Sequence, residues 1–139
     1  MIDPAHVPPV ADDEDTGRFV FTRGHINRLS GTLKANAFLP HPHDELSVQR
    51  LIQSTESEVW ETGASIGSAR NPPRTAYGRG DVLVNTYRQQ RLVVFADPVE
   101  GNANHTVVRG WPKEDKDAQL LHAKEIAAVA RFVSVPNGA

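Results

Sequence analysis

The sequence predicts a single α+β domain: a mostly antiparallel sheet of five to six strands, a mid-chain helix, and a long C-terminal amphipathic helix packed on one face. Three observations predict it. Short β-rich runs such as Phe19-Val20-Phe21 and Leu92-Val93-Val94-Phe95 are punctuated by glycine, proline, asparagine and aspartate. The stretch from Asp115 to Phe132 instead repeats its apolar residues every three or four positions. The 139 residues suffice for one core, and no internal repeat divides them.

The first 17 residues carry Pro4, Pro8 and Pro9, five acids (Asp3, Asp12, Asp13, Glu14, Asp15) and no lysine or arginine. Low hydrophobicity with concentrated charge predicts a flexible acidic arm over residues 1–17, ahead of a domain spanning 18–135 and a flexible tail at 136–139. From Arg18, alternation through Phe19 and Phe21 reads as a strand with one face buried. Leu29-Ser30-Gly31-Thr32 is turn chemistry, and Leu33 to Leu39 reads as a second strand stopped by Pro40. Leu46 to Ile52 fits a third strand. Ser54 to Ile66 begins with a capping hydroxyl and early acids, which signals a helix of two to three turns.

Asn71-Pro72-Pro73 reads as an extended linker. Asp81–Tyr87, Leu92–Ala96 and Thr106–Trp111 are rich in valine, leucine and aromatic residues and read as strands. In the final helix Leu120, Ala123, Ala127, Ala130 and Val133 form a stripe broadened by Leu121, Ile126 and Val129. The acids Glu114, Asp115 and Asp117 stand at its start and Arg131 near its end, as the helix dipole favours.

Composition excludes several classes. With no cysteine there is no disulfide, thiolate metal site or cysteine nucleophile. No apolar run approaches the roughly 18 residues of a membrane span, and Met1-Ile2-Asp3-Pro4 lacks the features of a signal peptide, so a soluble, cytoplasmic protein is expected. P-loop, dinucleotide and zinc-finger spacings are missing. Beyond residue 17 the chain has 12 acids against 15 bases, and arginines outnumber lysines 11 to 4. Arginine's planar fork suits carboxylates and phosphates. The charge excess is small for nucleic-acid binding.

Histidines mark the candidate chemistry, since five of the six fall on loops or strand ends. His41, His43 and Asp44 form the densest cluster and could supply ligands to a divalent metal, but a closed site needs three or four ligands with supporting partners. No other cofactor is specified. Arg23-Gly24-His25 pairs a guanidinium for an anion with an imidazole for proton transfer. Asp97 and the run Asn102-Ala103-Asn104-His105 could orient a second imidazole on a polar turn.

Three functional classes follow. The first is a small binding or accessory module that engages an anionic ligand or a protein partner through an arginine- and histidine-rich face, with Arg23, Arg28, Arg50, Asn102 and Asn104 as ligand-binding candidates. The second is an enzyme acting on a phosphate-containing or nucleotide substrate, with His25, His43, His105 and Asp97 as candidate catalytic groups. An arginine or histidine on the first strand and a serine opening a later one is loosely similar to ADP-ribosyltransferase-like folds. That resemblance implies no residue assignments, because neither a catalytic glutamate nor an aromatic nicotinamide clamp can be placed. The third class is an inhibitor or immunity-type protein that occupies a partner's surface.

Overall fold

A computed structural model describes residues 1–41 and 44–136. Its centre is a six-stranded sheet of β1 (Asp15–Val20), β4 (Leu46–Arg50), β5 (Gly78–Leu83), β6 (Val93–Ala96), β7 (His105–Arg109) and β8 (Arg131–Ser134). The spatial order is β6-β7-β4-β1-β5-β8, and every pair is antiparallel. A separate two-stranded ribbon joins β2 (Ile26–Asn27) to β3 (Thr32–Leu33). The helices are α1 (Glu56–Ser68), α2 (Val84–Gln89) and α3 (Lys116–Val129). This is the α+β architecture that the apolar patterning predicts.

The sheet is covered unequally. Val20, Leu46, Val48, Val82 and Val108 point to one face and meet Phe38, Tyr87, Trp111, Ala123 and Ile126 in the main core. The opposite face carries a smaller cluster in which Phe19 and Phe21 pack under Val59 of α1. Strand β1 is therefore buried on both faces, contrary to the single buried face expected of it. Helix α1 starts with a capping box, Thr55 Oγ1 accepting from Glu58 N and the Glu58 carboxylate accepting from Thr55 N. It lies close on β1 through its glycines. A Cβ at Gly63 would come within 2.8 Å of the Phe19 ring, and one at Gly67 within 2.3 Å of the Arg74 carbonyl oxygen.

Four sequence expectations need correction. The segment 33–39 is no strand beyond Leu33: Ala35–Phe38 is a 3-10 helix that buries the consecutive residues Ala37 and Phe38, a pattern that period-two alternation cannot produce. The run 81–87 is divided, because Val84 and Tyr87 are both buried at helical spacing in α2 despite their β-branched and aromatic character. The last helix stops at Val129 and the chain becomes β8, so Leu121 and Val129 are exposed rather than part of a buried stripe.

The fourth concerns the acidic arm, which is packed. Ile2 is buried and its N–H donates to Asn104 Oδ1. Glu14 is buried against Arg50, with contacts of 2.6 and 2.9 Å, and residues 15–17 lie within β1. Composition registered the charge of this segment but not its partner, which stands 36 positions away. Residues 137–139 of the expected tail lie outside the described residues.

Replacing Glu14 by glutamine should lower the unfolding free energy by about 3 kcal/mol, the scale for leaving a buried charge without its partner. Urea denaturation followed by tryptophan fluorescence checks this. A loss within about 0.5 kcal/mol, typical of surface positions, would show that the segment contributes nothing to the fold.

Candidate functional site

The ladder between β1 and β4 is short. Thr16 pairs with Arg50 and Gly17 with Gln49, after which the strands part. The alternation of antiparallel bonding would bring Phe19 and Ser47 together next, yet neither has a partner across the seam. The Arg18 guanidinium bridges the gap instead. Its Nε donates to Ala37 O on the 3-10 helix at 3.1 Å and its Nη1 to Ser47 O on β4 at 3.0 Å. Two neutral carbonyls are its acceptors, and no carboxylate lies within ion-pair distance among the described residues. Burial pushes the Arg18 pKa down to about 10, and the charge of Arg70 adds to the depression.

Above this seam is a groove of about 620 Å³, a volume in the range of ligand sites. Its floor is the open half of the sheet, including Ser47, Gln49 and His105. One wall is the exposed side of α1 from Glu58 to Ala69, ending at Arg70. The other wall is the turn from Val99 to Asn102. Gln49 and Asn102 fix that turn by exchanging amide hydrogen bonds of 2.9 and 2.8 Å. Arg70 stacks on the Phe21 ring, 4.2 Å from its centroid, which places a cation at the end of the groove nearest the exit of β1.

The arginines divide into two sets. Of the 11 arginines, Arg50, Arg79, Arg88, Arg109 and Arg131 make ion pairs, while Arg18, Arg23, Arg28, Arg70, Arg74 and Arg91 make none among the described residues. Arg23, Arg28 and Lys34 line a shallow depression of about 400 Å³ that has no acidic lining residue. Burial lowers the Arg70 pKa, and the Arg74 charge lowers it further. Burial likewise lowers that of His25, followed by the charges of Arg18 and Lys34. In each of these three basic groups burial is the main cause of the shift and a neighbouring cation adds to it.

The expected site residues fall into distinct places. Arg50 is fully buried and saturated by Glu14 and the carbonyls of Pro8 and Pro9, which removes it as a ligand group. Asn104 is a structural hub: it accepts from Ile2 N and donates to Arg50 O, Ile52 O and Ser54 Oγ. Asn102 lines the groove but spends its amide on Gln49. Asp97 and His105 do come together, His105 Nδ1 lying 3.1 Å from the Asp97 carboxylate and 2.9 Å from its carbonyl oxygen. His25 lines neither cavity, so the structure does not gather it with His105.

Arg23 lies over the Tyr77 ring and, with Arg28, borders the shallow depression. Around the proposed metal cluster, Asp44 accepts from Gln119 Nε2, His41 N donates to Glu45 O, and His43 lies outside the described residues. Among the described residues no three histidine or carboxylate groups converge as metal ligands. Nor, among them, is any helix long and apolar enough to cross a membrane.

Sequence reasoning passed over Arg18, Gln49, Glu61 and Arg70. A signal existed for Arg18, which shares a strand face with the buried Thr16 and Val20. Comparison with protein-family models, curated proteins and solved structures returns no match for this chain.

The lowered pKa of His25 makes its protonation costly in the folded state. Its NMR titration midpoint should fall below the ordinary histidine value of 6.5 and move upward in a Lys34→Ala variant. Because the unfolded chain takes up that proton more readily, this group's contribution to stability declines as the pH falls through the ordinary histidine range. A midpoint unchanged by Lys34→Ala would show that the two charges do not interact.

Proposed function

We propose that this protein is a binding module that receives an anionic group at the arginine end of the groove between α1 and the open half of the sheet. The observation that carries this reading is Arg18. It is a guanidinium lining a ligand-sized groove, hydrogen-bonded only to carbonyls, with no carboxylate to neutralise it. Arg70 supplies a second cation at the same end. An incoming carboxylate or phosphate gains charge-assisted hydrogen bonds there and offsets the burial and neighbouring cations that hold both arginines below the usual range.

The Asp97–His105 pair favours a second reading. A carboxylate that holds Nδ1 of an imidazole leaves Nε2 for proton transfer, and His105 lines the same groove. In that reading the arginine end binds the anion and His105 acts on the bound molecule as general acid or base, which makes the protein an enzyme. His105→Gln discriminates the two. A binding module retains its anion affinity, whereas an enzyme retains affinity and loses turnover.

Inorganic phosphate titrated into 15N-labelled protein at low salt tests the primary reading. The side-chain Nε–Hε resonances of Arg18 and Arg70 should shift together along one saturating curve. Those of Arg50 and Arg79, already held by carboxylates, should stay in place. Equal shifts across all arginines, or none at Arg18, would overturn the assignment.

A further inference from the structure

The groove has a second pole, and its polarity identifies the class of occupant. At the start of the α1 wall stand Glu58 and Glu61, and the opposite turn contributes Glu100. Glu58 is engaged by the amino group of Met1, while Glu61 and Glu100 have no cationic partner among the described residues. At the far end stands Arg70 on the Phe21 ring, with Arg18 in the adjacent seam close enough to feel its charge. Between the poles the lining is mixed, with Phe19, Ile66 and Val99 beside the polar Ser47, Thr62 and His105. The wall from Glu58 to Ala69 is about 16 Å long at the α-helical rise, which about five residues of extended chain span.

The floor contributes a third property. Ser47, Gln49 and His105 line the floor with polar side chains, while at the seam itself the Arg18 guanidinium holds Ser47 O. A few polar side chains on the floor can orient the main chain of a bound peptide. A short peptide with free termini also carries positive charge at its first residue and negative charge at its last. We therefore infer that the ligand of this groove is an extended peptide of about five residues, its C-terminal carboxylate on Arg18 and Arg70 and its amino end, best a lysine, beside Glu61 and Glu100. This rests on the anion-binding reading of the same site and adds the ligand's chemical class and direction.

Calorimetric titration of the full chain with the pentapeptide Lys-Ala-Val-Ala-Val, as free acid and as C-terminal amide, tests it. The free acid should bind one to one and the amide about tenfold more weakly, in line with the loss of charge-assisted hydrogen bonds. Arg70→Gln should weaken the acid by a similar factor and narrow the difference between acid and amide. Glu61→Lys should reverse the preference at the first position from lysine to glutamate. Both substituted side chains are exposed, and the contact Arg70→Gln loses is its stacking on the Phe21 ring, so urea denaturation of the variant verifies that the fold is kept.

Equal binding of acid and amide, or binding indifferent to Arg70→Gln and Glu61→Lys, would overturn the peptide assignment. A peptide that fails to bind while phosphate still shifts the Arg18 and Arg70 resonances overturns this inference and leaves the anion-binding module standing. Failure of both probes removes both readings.

Discussion

Much of what is distinctive in this molecule depends on where the Arg18 guanidinium lies. It occupies a seam in the sheet, tying β1 to β4 and to the 3-10 helix beneath through carbonyl oxygens alone. A half-buried cation is costly in proportion to the water it loses, and two neutral dipoles compensate it only in part. The depressed pKa expresses that deficit. The same placement links the two faces of the sheet: Arg18 leaves β1 on the side of Thr16 and Val20, and its residue also lines the groove at the seam.

The other arginines show what compensation looks like here. Arg79 is buried between Asp81 and Glu56, lies 4.9 Å from the Trp60 ring centroid, and joins α1 to β5. Its pKa is raised, because the hydrogen bonds and charges of those carboxylates outweigh its desolvation. Arg50 fastens the N-terminal segment through Glu14, and Arg88 reaches Asp12 and Val10 O in the same segment. These side chains are struts whose donors are already committed. Against them, the arginines at the exit of β1 and beyond α1 retain free capacity. The division between the two sets, more than the arginine total, gives the molecule a polarity.

That division explains how much was legible in the sequence. The antiparallel sheet, α1 with its Thr55 cap and the body of α3 follow from local signals, because periodicity and capping are local properties. The packed N-terminal segment, the burial of Arg50 and the hub role of Asn104 were not legible, since each depends on a partner 36 to 102 positions away. The β8 strand was hidden for another reason. Arg131 to Ser134 continues the apolar rhythm of α3, and only the extended backbone at Ala130 separates them. Of the candidate site, the Asp97–His105 pair was readable because both residues border one turn. The groove was not, because it exists only through the parting of β1 from β4.

The groove also follows from the dimensions of the fold. One α-helix with its side chains is about 10 Å wide, whereas adjacent strands lie about 4.8 Å apart, so a single helix covers roughly two strands of six. Gly63 and Gly67 settle α1 over β1 and β5 by allowing contact with Phe19 and Phe21. Strands β4, β7 and β6 then lie beyond the reach of α1 on that face. The residues there follow this only in part: Ser47 and Arg109 are exposed, whereas Gln49, held by Asn102, and Val107 are buried. The pattern also meets its limit at the sheet edge, where Val93 and Phe95 are exposed on β6 and only the Arg109 guanidinium, 5.1 Å from the Phe95 ring centroid, shields the aromatic face. A second helix over these strands would have closed the sheet and buried the Arg18 charge without compensation. Leaving this half open keeps that charge within reach of solvent and of any anion small enough to enter.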